Sequence, residues 1–244
     1  MQLIYHEQID STNRLAKELV QKGALPGTVI QAGQQSAGRG QYERSFLSPL
    51  GGLYFSLILS PPLHPQEVAM VTLAAGLGCR DALMEQCGLT AQIKWPNDLY
   101  CSGRKIAGIL SEYCMSISED IPAAVVVGVG LNVNSRACDF PLELRGIVST
   151  VCDCSGSMQN MAALLWALVA GICRRVDQLV EDRTAFLAQW GRADYLSGQT
   201  IQHLLRDTVL GTGTGLGIDE QGRYRFREED GQVRTVIGGR LRRV

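Results

Sequence analysis

Ala123-Ala-Val-Val-Val-Gly128-Val-Gly130-Leu-Asn132-Val133 is almost wholly apolar. At this length it cannot cross a bilayer, which takes roughly 20 apolar residues. A short apolar run of this kind reads as a central strand buried on both faces. The fold class depends on what surrounds that strand.

Upstream, residues 1–10 read as a short strand leading into Asp10-Ser-Thr-Asn13. A helix follows with Leu15, Leu19 and Val20 as its apolar positions, and Ser11 or Thr12 supplies the N-cap oxygen. Thr28–Gln31 and Leu53–Leu59 read as strands, the second stopped by Pro61-Pro62. The spacing of Val68, Val71, Leu73, Leu77, Ala82 and Leu83 predicts a largely buried helix over 65–87, closed by Gly88. Ala91–Trp95 is a strand ended by Pro96-Asn-Asp98, and Lys105–Tyr113 is another, entered through a turn at Ser102-Gly103. Downstream, 160–181 is a long amphipathic helix that 184–190 continues. Beyond a composition change at 194–198, Thr208–Val244 carries short strands with turn signals at Asp219-Glu-Gln-Gly222 and Glu229-Asp-Gly231. Strands with interspersed helices followed by a β appendage argue α+β, with a mixed-sheet domain over 1–194 and a small β-barrel over 195–244.

Hydrophobic residues make up 45% of the 244, and charged residues 19%. That suits a sizeable core and argues against disorder. The 23 Lys+Arg against 24 Asp+Glu leave a net charge of −1, without the basic footprint of a dedicated nucleic-acid binder. The first ten residues lack the basic and apolar runs of a signal peptide. A soluble cytoplasmic protein is expected, with no DNA and no membrane partner. The eight cysteines form no CxxC pair and no histidine lies near Cys152-Asp-Cys154, so the thiols read as structural rather than as a zinc site.

Four segments could carry chemistry. In Gln34-Gln-Ser-Ala-Gly-Arg-Gly40, two glycines flanking Arg39 let a loop present backbone N–H groups and a guanidinium to an anion, or form an ordinary surface loop. It is not a Walker A loop. In Ile93-Lys-Trp-Pro-Asn-Asp98, alternation places Ile93 and Trp95 on one face and Gln92 and Lys94 on the other. Lys94 either extends into water or serves a carboxylate or a transferring phosphoryl group. Gly108, in Gly103-Arg-Lys-Ile-Ala-Gly-Ile-Leu110, marks close approach of backbone or ligand, or a tight packing contact. Gly128, Gly130, Asn132 and Asn134 offer room and amide hydrogen bonds for a purine edge or ribose, or a strand-to-turn transition.

The order of these segments is informative where each alone is not. DSTN, QQSAGRG, a Ser-Pro followed by Gly51-Gly-Leu-Tyr-Phe-Ser56, KWPNDLY, GRKIAGIL and GVGLN resemble the motif series of biotin–protein ligases over residues 8–135. The resemblance implies a mixed-sheet catalytic domain followed by an SH3-like barrel. It implies activation of biotin with ATP and Mg²⁺ to biotinyl-AMP, then transfer to a lysine of a biotin carboxyl carrier domain. Ser11, Thr12, Asn13, Gln35 and Gly108 match positions at biotin, and Arg39, Gly40 and Gln41 match the loop that closes over it. Lys94 matches the lysine contacting the reacting carboxylate and α-phosphate, and Lys94 and Arg39 are the catalytic candidates. Arg44, Phe46 and Asn132 match positions around the nucleotide, Phe46 as an aromatic covering adenine. The Mg²⁺ ligands are not assigned by the resemblance, and a homodimer is compatible with it.

One departure stands out. Where the family loop commonly reads GRGRxGRxW, this chain has Gly38-Arg-Gly-Gln-Tyr-Glu-Arg44-Ser-Phe46. Gln41 lacks a charge and Glu43 adds an anion, which predicts looser retention of the adenylate, partly offset by Arg44. DSTN arrives at residue 10, which leads to the expectation of a monofunctional form without an N-terminal helix-turn-helix. The alternatives are a lipoate or octanoate ligase or transferase, a non-catalytic biotin sensor and a DNA-binding repressor.

Overall fold

The computed structural model describes residues 1–41, 44–115, 123–206 and 208–244. Seven strands form the main sheet: β1 (Gln2–Ile9), β2 (Thr28–Gln35), β3 (Gly52–Leu59), β4 (Gln92–Lys94), β5 (Asp98–Cys101), β6 (Arg104–Cys114) and β7 (Ala124–Asn132). Their order is β1-β2-β3-β7-β6-β5-β4. β1 and β2 run parallel, connected through helix α1 (Thr12–Gln21), and the remaining neighbours pair antiparallel. The sheet is therefore mixed, and β7, at its centre, is buried along its whole length.

Side chains alternate across the sheet, so β7 feeds two cores. Val125, Val127, Val129 and Leu131 join the larger core under helices α2 (Val68–Cys87) and α4 (Met161–Glu181). Ala124 and Val126 join the smaller core under α1 with Ala16, Val20, Ile30 and Ile58. Each fully buried aliphatic side chain contributes about 2 kcal/mol. α2 and α4 cross at Gly78 and Gly171, where a Cβ on either would fall 2.5 Å from backbone of the other. Close approach is available there only to glycine. Gly88 ends α2 with φ 64°, as a C-cap glycine does.

Several expectations change at the element boundaries. β2 runs on to Gln35 through polar residues because β1 pairs with it as far as Ile9↔Gln35. Asp98–Cys101 is a strand in its own right, pairing with both β4 and β6. Helix does not continue through 190: it stops at Glu181, and extended Asp182 (φ −144°) caps α5 (Arg183–Ala193) by accepting from Ala185 N at 2.9 Å. A short helix, α3 (Val151–Ser155), was not anticipated.

The C-terminal strands begin at β8 (Thr200–Leu205), ahead of the expected start at Thr208. β9 (Thr208–Ile218), β10 (Tyr224–Arg227), β11 (Val233–Val236) and β12 (Arg240–Arg243) complete a five-stranded SH3-like sheet of order β11-β10-β9-β8-β12. Both anticipated turns connect neighbouring strands there, with Gly222 and Gly231 at φ 77° and 85°. This sheet shares the larger core through Ile201, Tyr224, Phe226 and Leu241, and polar contacts add to that packing. Trp95 Nε1 donates to Gly222 O at 2.9 Å, and Tyr224 Oη donates to Asp194 Oδ2 at 2.8 Å. Burial pushes the Asp194 carboxyl up to about 6, although the hydrogen bonds from Leu196 N and Tyr224 oppose the shift.

Candidate active site

Along the α1 face of β7, side chains shrink from Ala124 and Val126 to Gly128 and Gly130 just where α1 begins. The missing volume is a cavity of about 910 Å³, floored by Gly108, Gly128 and Gly130. A methyl group would collide at Gly128 and Gly130 and would be tight at Gly108. A Cβ on Gly128 would lie 2.0 Å from Asn13 Oδ1, on Gly130 2.4 Å from Phe46 Cε1, and on Gly108 3.2 Å from Phe46 Cε2. The packing reading of Gly108 and the ligand-approach reading thus describe one place, since the side chains resting on it themselves line the cavity.

Ser11, Thr12 and Asn13 enter from the first turn of α1. Ser11 caps the helix, accepting from Arg14 N at 3.4 Å. Thr12 donates through N and Oγ1 to Gln35 Oε1 at 2.9 and 3.1 Å, and Gln35 Nε2 reaches Ser48 Oγ at 3.0 Å. Asn13 Nδ2 donates to Glu112 Oε2 at 2.8 Å, and Glu112 also holds Lys17 at 2.6 Å. Ser56 Oγ, fully buried on β3, donates to Asn13 Oδ1 at 2.6 Å and lies 2.8 Å from Thr12 Oγ1. This network fixes the side chains before any ligand arrives, as preorganised binding requires. Ser56 closes the Gly51–Ser56 motif but was given no role from the sequence, although it is a hydroxyl residue within an apolar strand.

The glycine loop folds back on itself as a small hairpin. Arg39 bridges Ser45, Phe46 N donates to Gly38 O at 2.8 Å, and Gly40 N donates to Arg44 O at 2.7 Å. Arg39, Gly40, Gln41, Arg44 and Phe46 all line the cavity. Glu43 lies outside the described residues. The Phe46 ring stands on the glycine floor with Tyr54 edge-on, centroids 6.3 Å apart.

Opposite the loop, Lys94 ends β4 beside Asp98 of β5. It is half-buried in the cavity wall, and Nζ donates to Tyr100 Oη at 3.2 Å. Burial holds its ammonium below the ordinary lysine range; Asp98 opposes this shift and nearby Lys105 and Arg240 add to it. Lys105 pairs with Asp98 at 2.6 Å. Arg206, Arg240 and Arg242 of the C-terminal sheet complete the mouth. Their signal in the sequence is Arg240-Leu-Arg242, which on a strand turns two guanidiniums to one face. Asn132, expected beside a nucleotide, is buried and is not among the lining residues. Its Nδ2 donates to Ser149 O at 3.1 Å, and its Oδ1 has no partner among the described residues. The lining therefore carries seven cationic side chains against one carboxylate, Asp98, among the described residues. No group of three carboxylate, histidine or cysteine donors that could cage a metal occurs among them. No helix among them is long and apolar enough to cross a membrane.

A mixed sheet with a cationic cavity on its glycine face, joined to an SH3-like sheet that closes the mouth, defines a class of group-transferring ligase. Residues 5–132 match the model of the biotin/lipoate A/B protein ligase family, and the chain belongs to that family. It is similar to the bifunctional ligase/repressor BirA of Bacillus subtilis, 35% identical over 224 residues that span 90% of this chain and 67% of that one. It is also similar to biotin--[acetyl-CoA-carboxylase] ligase of Paracoccus denitrificans, 39% identical over 126 residues, 51% of each chain. Among solved structures, biotin protein ligase from Aquifex aeolicus in complex with biotin and ATP matches with a TM-score of 0.84 at 29% identity. That match covers 100% of this chain and 99% of that one.

Proposed function

We propose that this protein is a biotin–protein ligase that condenses biotin with ATP to biotinyl-AMP and passes the biotinyl group to a lysine of a biotin carboxyl carrier domain. The observation that carries this reading is the excess of cations around a cavity with a preorganised polar end and a glycine floor. Both reactants are anions, and they approach only where fixed positive charge offsets their repulsion.

In this reading Ser11, Thr12, Asn13 and Gln35 hold the polar end of biotin above Gly108. Lys94 sits between the carboxylate and the α-phosphate, where it steadies the charge that develops as a carboxylate oxygen attacks phosphorus and pyrophosphate leaves. Arg39 and Arg44 supply charge from the loop, and Phe46 offers a ring face to adenine. Gly40 and Gln41 close over the adenylate, which water would otherwise hydrolyse. The carrier's amine then attacks the acyl carbon, and AMP leaves with the electron pair of the broken C–O bond.

The described residues do not form a cage for a resident metal, and the one carboxylate among those lining the cavity, Asp98, is paired with Lys105. Mg²⁺ enters this reading only as the counter-ion of the triphosphate. The boundary between catalytic and C-terminal domains falls at 194/195, and the protein works in the cytoplasm without DNA or a membrane. Pyrophosphate release that depends on biotin tests the reaction. Release with lipoate and not with biotin would overturn the choice of acid.

A further inference from the structure

The cavity explains what Lys94 faces but not what holds it in place. A lysine stem with four rotatable carbons samples many positions unless something restricts it. Here the restriction comes from Tyr100 in the cavity wall and from what stands behind it. Lys94 Nζ donates to Tyr100 Oη at 3.2 Å and lies 5.0 Å from the centroid of the same ring, so the ammonium sits at the hydroxyl edge of that ring. Tyr100 stacks on Tyr195, with centroids 4.8 Å apart and planes at 28°. Arg243 of β12 places its guanidinium carbon 6.0 Å from the Tyr195 centroid.

Tyr195 is not among the residues lining the cavity. Its backbone is nevertheless tied to the strand that carries Lys94: Tyr195 N donates to Ile93 O at 2.9 Å, and Asp194 bridges Ile93 in parallel. Asp194 also accepts from Tyr224 of the C-terminal sheet. The junction between the two sheets thus forms an outer edge to β4 and supplies the ring that backs Tyr100.

We propose that Tyr100 and Tyr195 are positioning residues for Lys94, and that docking of the C-terminal sheet sets, through Tyr195, where the lysine places its charge. This rests on Lys94 acting at the reacting carboxylate and phosphate. The other groups that face its ammonium are Asp98, Lys105 and Arg240. Displacements of about 1 Å in a positioned group cost up to about 100-fold in rate.

The test compares Tyr195→Leu, Tyr195→Phe and Tyr100→Phe in the full chain, each first checked for an unchanged unfolding midpoint. Tyr195→Leu keeps an apolar side chain without the ring. It should lower turnover in pyrophosphate release about 10-fold, with KM for biotin unchanged, because the ammonium and not the biotin pocket is disturbed. Tyr195→Phe restores the stack and most of the rate. Tyr100→Phe loses the hydroxyl acceptor and moves the alkaline limb of the rate to lower pH. A second readout needs no turnover: acetylation of Lys94 by acetic anhydride across pH, followed by peptide mass spectrometry. Without the Tyr195 ring the ammonium is better hydrated, so its titration midpoint rises toward that of an ordinary lysine. An unmoved midpoint in Tyr195→Leu, or equal effects of Tyr195→Leu and Tyr195→Phe, overturns the proposal and leaves the ligase reading standing. Wild-type protein that releases no pyrophosphate while the midpoint still rises in Tyr195→Leu, and not in Tyr195→Phe, overturns the ligase reading and supports the positioning.

Discussion

Lys94 carries two consequences of its surroundings. Removing a preorganised donor from a transition state typically costs about 100-fold to 1,000-fold, or roughly 3–4 kcal/mol. Lys94→Ala should therefore reduce pyrophosphate release by at least about 100-fold while leaving the thermal midpoint nearly unchanged, because burying an ammonium adds little to stability. Near-normal release would remove Lys94 from the mechanism. The direction of its pKa gives the second consequence. Burial favours the neutral amine, so the ammonium is lost at lower pH than in an ordinary lysine. Adenylation should accordingly fall on its alkaline side below the ordinary lysine range, and an alkaline limb at or above that range would contradict the assignment. Gln41 lines the cavity without charge. Gln41→Arg should slow biotinyl-AMP dissociation by a few-fold to about 10-fold, the range of one charge-assisted hydrogen bond. Dissociation as fast as in the wild type would discard the idea of a loosened loop.

The element most directly responsible for the site is β7. Its apolar length made it readable as a buried strand, but its glycines were ambiguous because the same spacing serves a turn. Only the face they share with Ala124 and Val126, where α1 ends its cover, makes them a floor. β5 was missed because four residues are too few to display a period, and β2 was underestimated because pairing with β1 carried it through polar residues. Gly128→Ala tests the floor. The added methyl meets Asn13 Oδ1 at 2.0 Å and must displace it from Ser56 and Glu112. Disturbing these bonds, together with that from Asn13 Nδ2 to Leu110 O, predicts a fall in biotin affinity of roughly 10-fold to 100-fold by calorimetry. Unchanged affinity would mean that Asn13 does not hold biotin.

At the scale of the whole molecule, the cavity is lined from both sheets, and the residues joining them were the least readable. Tyr195, Arg240 and Arg242 acquire a place at the site only after residues nearly 100 or more apart in sequence come together, which no local pattern announces. Asp194 reports on that junction. Its carboxyl is neutral in folded and unfolded chains only well below 3.8. Between 3.8 and about 6 the unfolded chain ionises first, so stability falls as pH rises. Above that window the loss is constant, at most about 3 kcal/mol. Asp194→Asn should flatten this contribution in denaturation measured from pH 4 to 6, and an unchanged profile would show that Asp194 is not the group responsible. The central claim is tested by incubating the protein with ATP, biotin and a biotin carboxyl carrier domain and measuring the mass of the carrier. The account predicts one biotinyl group on a single carrier lysine, dependent on ATP and abolished by Lys94→Ala. A carrier of unchanged mass, or one modified equally well by the Lys94→Ala protein, would contradict it.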